Sequence, residues 1–271
     1  MNFTRKAYAK INIGLAVGKK REDGFHPIRS YFARLDLADE IYCVVEKSDE
    51  TSIVVESDIQ YLENGKIDIA EKCARHFLTS LGLNASIYIR IKKNIPFKSG
   101  LGGGSSDGAT VLMILNEFFS YPLAKDELID LASQCGSDIP FFLSDSAFAY
   151  VEGRGEIVKP LQKPVGFDYV LWAMPTENVS TRFAYALLDS LDYEFVSLPA
   201  SCSYPINKKD YPNDFERVGS AILDELIRSY GENAYVSLSG SGSCVYILSS
   251  EKDLEYLKKL APMEMNISKI S

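Results

Sequence analysis

Glycine and serine are concentrated in one short stretch of the sequence, GLGGGSSDG at residues 100–108. Glycines adopt positive φ angles and let a ligand approach the main chain, so that successive backbone N–H groups can converge on one anion. Apolar spacing over residues 106–119 predicts a helix whose positive end faces the same point. Ser105 and Ser106 could cap this helix or donate to phosphate oxygens. The stretch therefore predicts a phosphate-binding loop.

Two common nucleotide-binding motifs do not match this stretch. It has no Gly-Lys-Ser or Gly-Lys-Thr, which excludes a Walker loop. Asp107 replaces the third glycine of the dinucleotide fingerprint, and the preceding strand is not the first of a βαβ unit. A flexible surface linker is the structural alternative for a Gly/Ser run. Linkers rarely adjoin an apolar helix without a spacer, so phosphate binding is favoured.

Two further residues could supply groups that phosphoryl transfer uses, a carboxylate near the acceptor hydroxyl and a cation near the developing charge. Asp138 is an acid in the largely apolar stretch GSDIPFF at residues 136–142, where a helix N-cap is the alternative. Lys10 lies in a predicted strand with Asn12 on the same side, where a solvated strand face is the alternative. Neither residue carries a catalytic assignment by itself.

A second run of small residues, SGSGS at residues 239–243, joins two predicted strands. A hairpin turn is the simplest interpretation. Three serines and two glycines exceed what a two-residue turn needs, so we favour a loop that closes onto the phosphates of the substrate.

The surrounding elements predict an α+β protein of two domains, because the pattern is not a regular βαβ alternation. Strands are predicted at residues 4–18, 31–37, 40–46, 52–56, 85–92, 169–174, 234–238 and 243–248, and on both sides of 153–155. Helices are predicted at residues 66–81, 106–119, 125–134, 180–190, 214–229 and 251–260. The segment 160–164 marks the boundary, which gives domains at residues 1–159 and 160–271.

The composition, 46% hydrophobic and 24% charged over 271 residues, is that of a globular protein. The net charge of −8 argues against nucleic acid and anionic membranes as partners, because an acidic chain repels both. Five cysteines without a Cys-x-x-Cys pair indicate thiols in a reducing compartment. With no signal peptide and no run of ~20 apolar residues, we expect a cytoplasmic protein without a membrane segment, as a monomer or a homodimer.

Taken together, the motifs resemble those of the GHMP kinase superfamily. The resemblance rests on AYAKINIGLAVGKKREDGFHPIRSYF at 7–32, IPFKSGLGGGSSDGATVL at 95–112, CGSDIPFFL at 135–143 and SLSGSGSCVYIL at 237–248. It implies an N-terminal domain like ribosomal protein S5 domain 2 and a ferredoxin-like C-terminal domain. It also implies that ATP and Mg²⁺ bind in the cleft between the two domains.

Within the superfamily, these motifs are most similar to those of members that phosphorylate the 2-hydroxyl of 4-diphosphocytidyl-2-C-methyl-D-erythritol, in the non-mevalonate isoprenoid precursor pathway. The resemblance implies that Asp138 is the catalytic base and Lys10 the lysine that assists it. It assigns the binding of this cytidine diphosphate-linked substrate to Asn12, Phe25, His26 and Tyr185. The rings of Phe25 and Tyr185 would stack on the two faces of the cytosine, and His26 would hydrogen-bond to its edge. ATP would be bound by Asn64, Pro96, Gly100, Gly102, Gly103, Gly104, Ser105 and Ser106, and Ser106 would also lie near the metal.

The chain departs from the usual pattern at four positions. Phe25 replaces a tyrosine, Ser99 and Gly108 replace alanines, and Gly65 follows Asn64 where the adenine-contacting stretch of the family has Asn-Leu. A homoserine-type or mevalonate-type kinase is the nearest alternative, and the Asp-Gly-Phe-His run at residues 23–26 argues against it because those enzymes bind no cytosine. A non-catalytic relative is a second alternative, against which the presence of both Lys10 and Asp138 argues.

Overall fold

The structure is a computed structural model that describes residues 1–59, 68–175, 180–231 and 234–271. Its strands are β1 (Asn2–Val17), β2 (Ile28–Lys47), β3 (Ser52–Ser57), β4 (Ala85–Lys92), β5 (Phe148–Glu152), β6 (Ile157–Leu161), β7 (Tyr169–Ala173), β8 (Tyr235–Leu238), β9 (Val245–Ser249) and β10 (Asn266–Lys269). Its α-helices are α1 (Ile69–Leu81), α2 (Gly103–Phe118), α3 (Lys125–Ser133), α4 (Ile139–Leu143), α5 (Thr181–Asp189), α6 (Ala221–Tyr230) and α7 (Leu254–Leu260), and a 3₁₀ helix spans Asp214–Val218.

The backbone groups into two compact units. The first unit comprises Met1–Ala9, Leu37–Phe97 and Gly102–Asp145, and the second comprises Lys10–Asp36, Lys98–Leu101 and Ser146–Ser271. The long strands β1 and β2 contribute residues to both units. This grouping does not decide the domain boundary at residues 159 and 160, which stays a prediction.

In the first unit, a sheet of β3, β4 and the C-terminal part of β2 packs against helices. β4 pairs antiparallel with β2 and parallel with β3, and α1 forms the connection that a parallel pair requires. The alternation predicted for residues 85–92 is confirmed, because Ala85, Ile87, Ile89 and Ile91 are buried in the core. Phe77 of α1 is also fully buried, and burying a side chain of this size stabilises the fold by about 1.5–3 kcal/mol.

In the second unit, four antiparallel strands form a sheet in the order β10-β7-β9-β8. Along the chain, β7 is followed by α5 and α6, then by the hairpin β8–β9, then by α7 and β10. This β-α-β-β-α-β order is that of a ferredoxin-like domain, as the resemblance implied. The same unit contains the N-terminal part of β2, which pairs with β5, and β5 in turn pairs with β6.

Several predicted elements differ from the structure for local reasons. The strands predicted at 31–37 and 40–46 are one strand, because the buried Asp39 between them accepts backbone hydrogen bonds instead of marking a turn. The helix predicted at 214–229 is two helices, separated where Gly219 has a φ of 89° and Ser220 caps α6. The short α4 and the C-terminal β10 were not predicted. Among the described residues, no helix combines the length and the apolar character needed to cross a membrane.

Candidate active site

The second half of the glycine-rich loop forms the start of α2 in the first unit. Gly102 has a φ of 77° and occupies the N-cap position, and its carbonyl accepts the first helical hydrogen bond from the Ser106 N–H at 2.9 Å. The N–H groups of the first turn have no acceptor within the helix and point along its axis. Ser105 and Ser106 lie inside the helix, so the capping role considered for them is wrong.

The glycines of α2 are closely packed by neighbouring side chains. A Cβ atom on Gly103 would lie 3.1 Å from Cγ2 of Ile95, and one on Gly104 would lie 3.2 Å from Cδ1 of Ile69. A Cβ atom on Gly108 would lie 2.8 Å from the Cys73 sulfur, closer than real Cβ contacts. The sulfur of Cys73 therefore fills the space that the methyl group of an alanine at position 108 would need.

A buried cluster of three charged residues that the sequence patterns did not predict lies beside this helix start. Lys93 Nζ lies 2.5 Å from Asp39 Oδ2 and 2.7 Å from Asp107 Oδ2, and all three side chains are almost completely buried. Asp39 Oδ1 also accepts from the N–H groups of Asn94 and Ile95, at 2.6 and 2.8 Å. The cluster fixes β2, the end of β4 and α2 relative to one another.

Asp107 is the less well satisfied of the two acids in this cluster. Its Oδ1 atom is buried without a hydrogen-bond partner. Burial raises the pKa of the Asp107 carboxyl to about 7, against the opposing effect of Lys93 and with a further contribution from Asp39. Asp107 is therefore a buried acid with a pKa near neutral, located within the glycine-rich stretch and the first turns of α2.

Asp138 lies in the first unit between α3 and α4. It occupies the position before Ile139, the first residue of α4, but its side chain makes no capping hydrogen bond. The neighbouring Ile139 and Phe141 are completely buried. Asp138 therefore occupies the N-cap position, as the alternative interpretation proposed, but its carboxylate does not cap the helix.

Lys10 lies in the second unit and is 2% exposed, so the solvated strand face considered for it is wrong. Its Nζ donates to Asn12 Oδ1 at 2.6 Å and to the Gly100 carbonyl at 3.0 Å, and it lies 4.9 Å from the centre of the Phe32 ring. Lys10 and Asn12 are two positions apart on β1 and therefore share a face. Asn12 is held in turn by its Nδ2, which donates to Ser30 Oγ at 3.2 Å.

The loop at residues 239–243 packs against the first half of the glycine-rich loop, also in the second unit. Ser239 Oγ donates to the Gly100 carbonyl at 3.0 Å, and the Cys244 N–H donates to the Ser99 carbonyl at 3.1 Å. Asn213 Nδ2 supports this loop by donating to the carbonyls of Leu238 and Gly240, at 3.0 and 2.9 Å. Sequence reasoning gave Asn213 no role, since its partners lie 25 and 27 residues further along the chain.

Two of the four residues assigned to the substrate are in contact in the second unit. The rings of His26 and Tyr185 lie 4.6 Å apart at an interplanar angle of 33°, and His26 Nε2 lies 2.7 Å from Asp189 Oδ1. Phe25 does not join this pair: it is 44% exposed, and the Arg154 guanidinium lies 4.8 Å from its ring centre. The placement of a base between Phe25 and Tyr185 stays a prediction.

The structure does not test the assignment of Pro96 and Asn64 to ATP binding. Pro96 is half-buried in the segment between β4 and the glycine-rich loop. Asn64 lies outside the described residues. Both assignments stay predictions.

Comparison with known proteins identifies the family. Residues 68–146 match the model of the GHMP kinases N terminal domain. Curated relatives named 4-diphosphocytidyl-2-C-methyl-D-erythritol kinase include one from Pelodictyon phaeoclathratiforme, 34% identical over 92% of this chain and 89% of the relative. Another, from Methylacidiphilum infernorum, is 35% identical over 94% of this chain and 88% of the relative.

Solved structures give the same result. A crystal structure of 4-(cytidine 5'-diphospho)-2C-methyl-D-erythritol kinase is 29% identical, with a TM-score of 0.73 over 98% of this chain and 99% of that chain. A mevalonate kinase, 15% identical with a TM-score of 0.68 over 99% of this chain and 100% of that chain, shares the fold. The present chain belongs to the 4-diphosphocytidyl-2-C-methyl-D-erythritol kinase family, within the GHMP kinases.

Proposed function

We propose that this protein transfers the γ-phosphoryl group of ATP to the 2-hydroxyl of 4-diphosphocytidyl-2-C-methyl-D-erythritol, a step in the non-mevalonate route to isoprenoid precursors. The observation that carries the proposal is similarity to curated relatives of this one name over more than nine-tenths of the chain. The similarity includes both units, so the motifs of each are covered. All five cysteines are free thiols, as suits a reducing compartment, and we assign the enzyme to the cytoplasm.

The start of α2 is the proposed site for the ATP phosphates. Its first-turn N–H groups and the positive end of the helix favour an anion, and the glycines at 102–104 let the anion approach the main chain. No side chain is needed as an anchor, which agrees with the absence of a Walker lysine from residues 100–108.

Mg²⁺ is the metal proposed for this reaction. The described residues contain no cluster of three acidic, histidine or cysteine ligands. Mg²⁺ at nucleotide sites takes most of its ligands from phosphates and water, so one protein oxygen is a sufficient donor set. The Ser106 hydroxyl, in the first turn of α2, is that donor in our proposal. When bound, the metal neutralises charge on the phosphates.

The acceptor is a tertiary alcohol, which is a poor nucleophile in water. We assign Asp138 as the group that accepts the hydroxyl proton while the alcohol oxygen bonds to the γ-phosphorus and the bond to the bridging oxygen of ADP breaks. Lys10 supplies positive charge that offsets the charge of the transferred group. Loose phosphoryl-transfer transition states need little base assistance, so the alternative role for Asp138 is to orient the hydroxyl.

A mevalonate or homoserine kinase activity is the second candidate, because kinases of both names share the fold. Those solved structures are 15% identical to this chain, which supports the fold and no more. ADP release with 4-diphosphocytidyl-methylerythritol, homoserine and mevalonate as acceptors separates the candidates. We expect turnover with the cytidine compound alone, and turnover with mevalonate or homoserine instead would contradict the proposal.

A further inference from the structure

We infer that Asp189 is a positioning residue that makes His26 a hydrogen-bond acceptor at Nδ1, so that the substrate site selects cytosine over uracil. This inference rests on the proposed function, since it concerns recognition of the same substrate. It adds a residue that the sequence motifs did not single out.

His26 is held on two sides by a single helix. Tyr185 and Asp189 are four residues apart on α5 and therefore lie on one face of it. Tyr185 contacts the face of the imidazole, and Asp189 contacts its edge at Nε2. Tyr185 packs in turn in a T-shaped arrangement with Phe215, with ring centres 4.8 Å apart at 84°. Both the plane of the His26 ring and its rotation in that plane are thereby fixed.

The contact with Asp189 determines which nitrogen carries the proton. An ionised carboxylate only accepts hydrogen bonds, so at 2.7 Å from Asp189 Oδ1 the Nε2 atom must be the donor. In a neutral imidazole with Nε2–H, the other nitrogen is an acceptor. His26 then offers a lone pair at Nδ1, the remaining polar atom of the ring.

A lone pair at this position distinguishes the two pyrimidines. Cytosine carries a 4-amino donor where uracil carries the O4 acceptor. The Nδ1 atom of His26 can accept from the amino group, whereas it would face the lone pairs of O4. Discrimination by one such contact is roughly 10- to 100-fold. Base selectivity therefore tests this role of His26. If Asp189 contributed only to stability, its removal would leave the selectivity unchanged.

The kinetic test uses substrates that differ only in the base. For Asp189→Ala we expect the ratio of kcat/KM for the cytidine substrate to that for its uridine analogue to fall about 10-fold or more, with the KM for ATP unchanged. Asp189→Glu, which keeps the carboxylate, should recover part of the ratio. Asp192→Asn is the matched control, because Asp192 is fully exposed and lies 3.6 Å from Lys19. An unchanged ratio in Asp189→Ala would overturn the inference.

A second test needs no substrate. The chain has two histidines, so nitrogen NMR of the imidazoles shows two rings, assigned with His76→Gln. We expect His26 as the Nε2–H form in the wild-type protein and as a mixture of both neutral forms in Asp189→Ala. An Nδ1–H or doubly protonated His26 in the wild-type protein at the assay pH would overturn the inference. If neither nucleotide is a substrate, the proposed function fails, and the NMR result still decides the role of Asp189.

Discussion

A Cβ atom on Gly100 would lie 1.9 Å from the carbonyl oxygen of Ser239, which leaves no space for a side chain. Gly100 also has a φ of 78°, and its own carbonyl accepts from Lys10 Nζ and Ser239 Oγ. This one glycine therefore joins two loops and the proposed catalytic lysine within the second unit.

Gly100→Ala should displace the carbonyl that holds Lys10, because the added methyl group cannot fit against Ser239. We expect a fall in kcat/KM of roughly 100-fold, the scale for a misplacement of about 1 Å at a reacting centre. Gly219→Ala is the control: Gly219 has a φ of 89° and open space at its Cβ position. It should cost about 1–2 kcal/mol of unfolding free energy for backbone strain and leave kcat unchanged. Equal kinetics in the two variants would refute this account of Gly100.

Gly103→Val should weaken ATP binding, because its branched side chain would press against Ile95 and Asp39 and displace the backbone of the first turn of α2. The Cβ atom would lie 3.1 Å from Ile95 and 3.4 Å from Asp39 Oδ2, so a modest loss of stability accompanies the effect. Calorimetric titration should show at least a roughly 10-fold loss of ATP affinity. Met113→Val, at an exposed position of α2, is the control. Wild-type affinity in folded Gly103→Val would show that the phosphates bind elsewhere.

Asp138→Asn keeps the shape of the side chain but cannot take a proton. We expect kcat to fall by roughly 10²–10⁴-fold, the usual contribution of a general base. Asp145→Asn, an exposed acid two residues beyond α4, should have wild-type kcat. Near-normal turnover in Asp138→Asn would favour the orienting role or another residue as the base.

Asp107 should make the protein less stable as the pH rises. Its pKa is raised to about 7 in the folded protein and is about 3.9 in an unfolded chain, so the folded state binds more protons between these values. The free energy of unfolding then decreases with rising pH across this window. Asp107→Asn should remove this decrease. The unfolding free energy of the variant, measured relative to that of wild type, should therefore rise by at least ~1 kcal/mol from pH 5 to pH 8. Urea unfolding at both pH values measures it, and parallel pH profiles for the two proteins would contradict it.

The glycine-rich loop with its following helix and the strand at residues 85–92 could be predicted because they depend on local spacing, whereas the ferredoxin-like order of the second unit was implied by the family resemblance. The burial of Lys10 could not, since residues 9–17 of β1 are buried on both faces by segments distant in sequence. For the same reason, no local pattern predicts the contact of Asp39 with Lys93, 54 residues away, or the contact of His26 with Asp189, 163 residues away. Polar residues inside strands are ambiguous until the covering elements are known.

The most direct test of the central claim is phosphorus NMR of the product formed from ATP and 4-diphosphocytidyl-2-C-methyl-D-erythritol. The account predicts one new phosphomonoester for each ADP released. Its signal should show no three-bond coupling to hydrogen, because the tertiary C2 carbon carries none. A phosphomonoester coupled to the protons of C1 or C3, or ADP release without a new ester, would contradict transfer to the 2-hydroxyl.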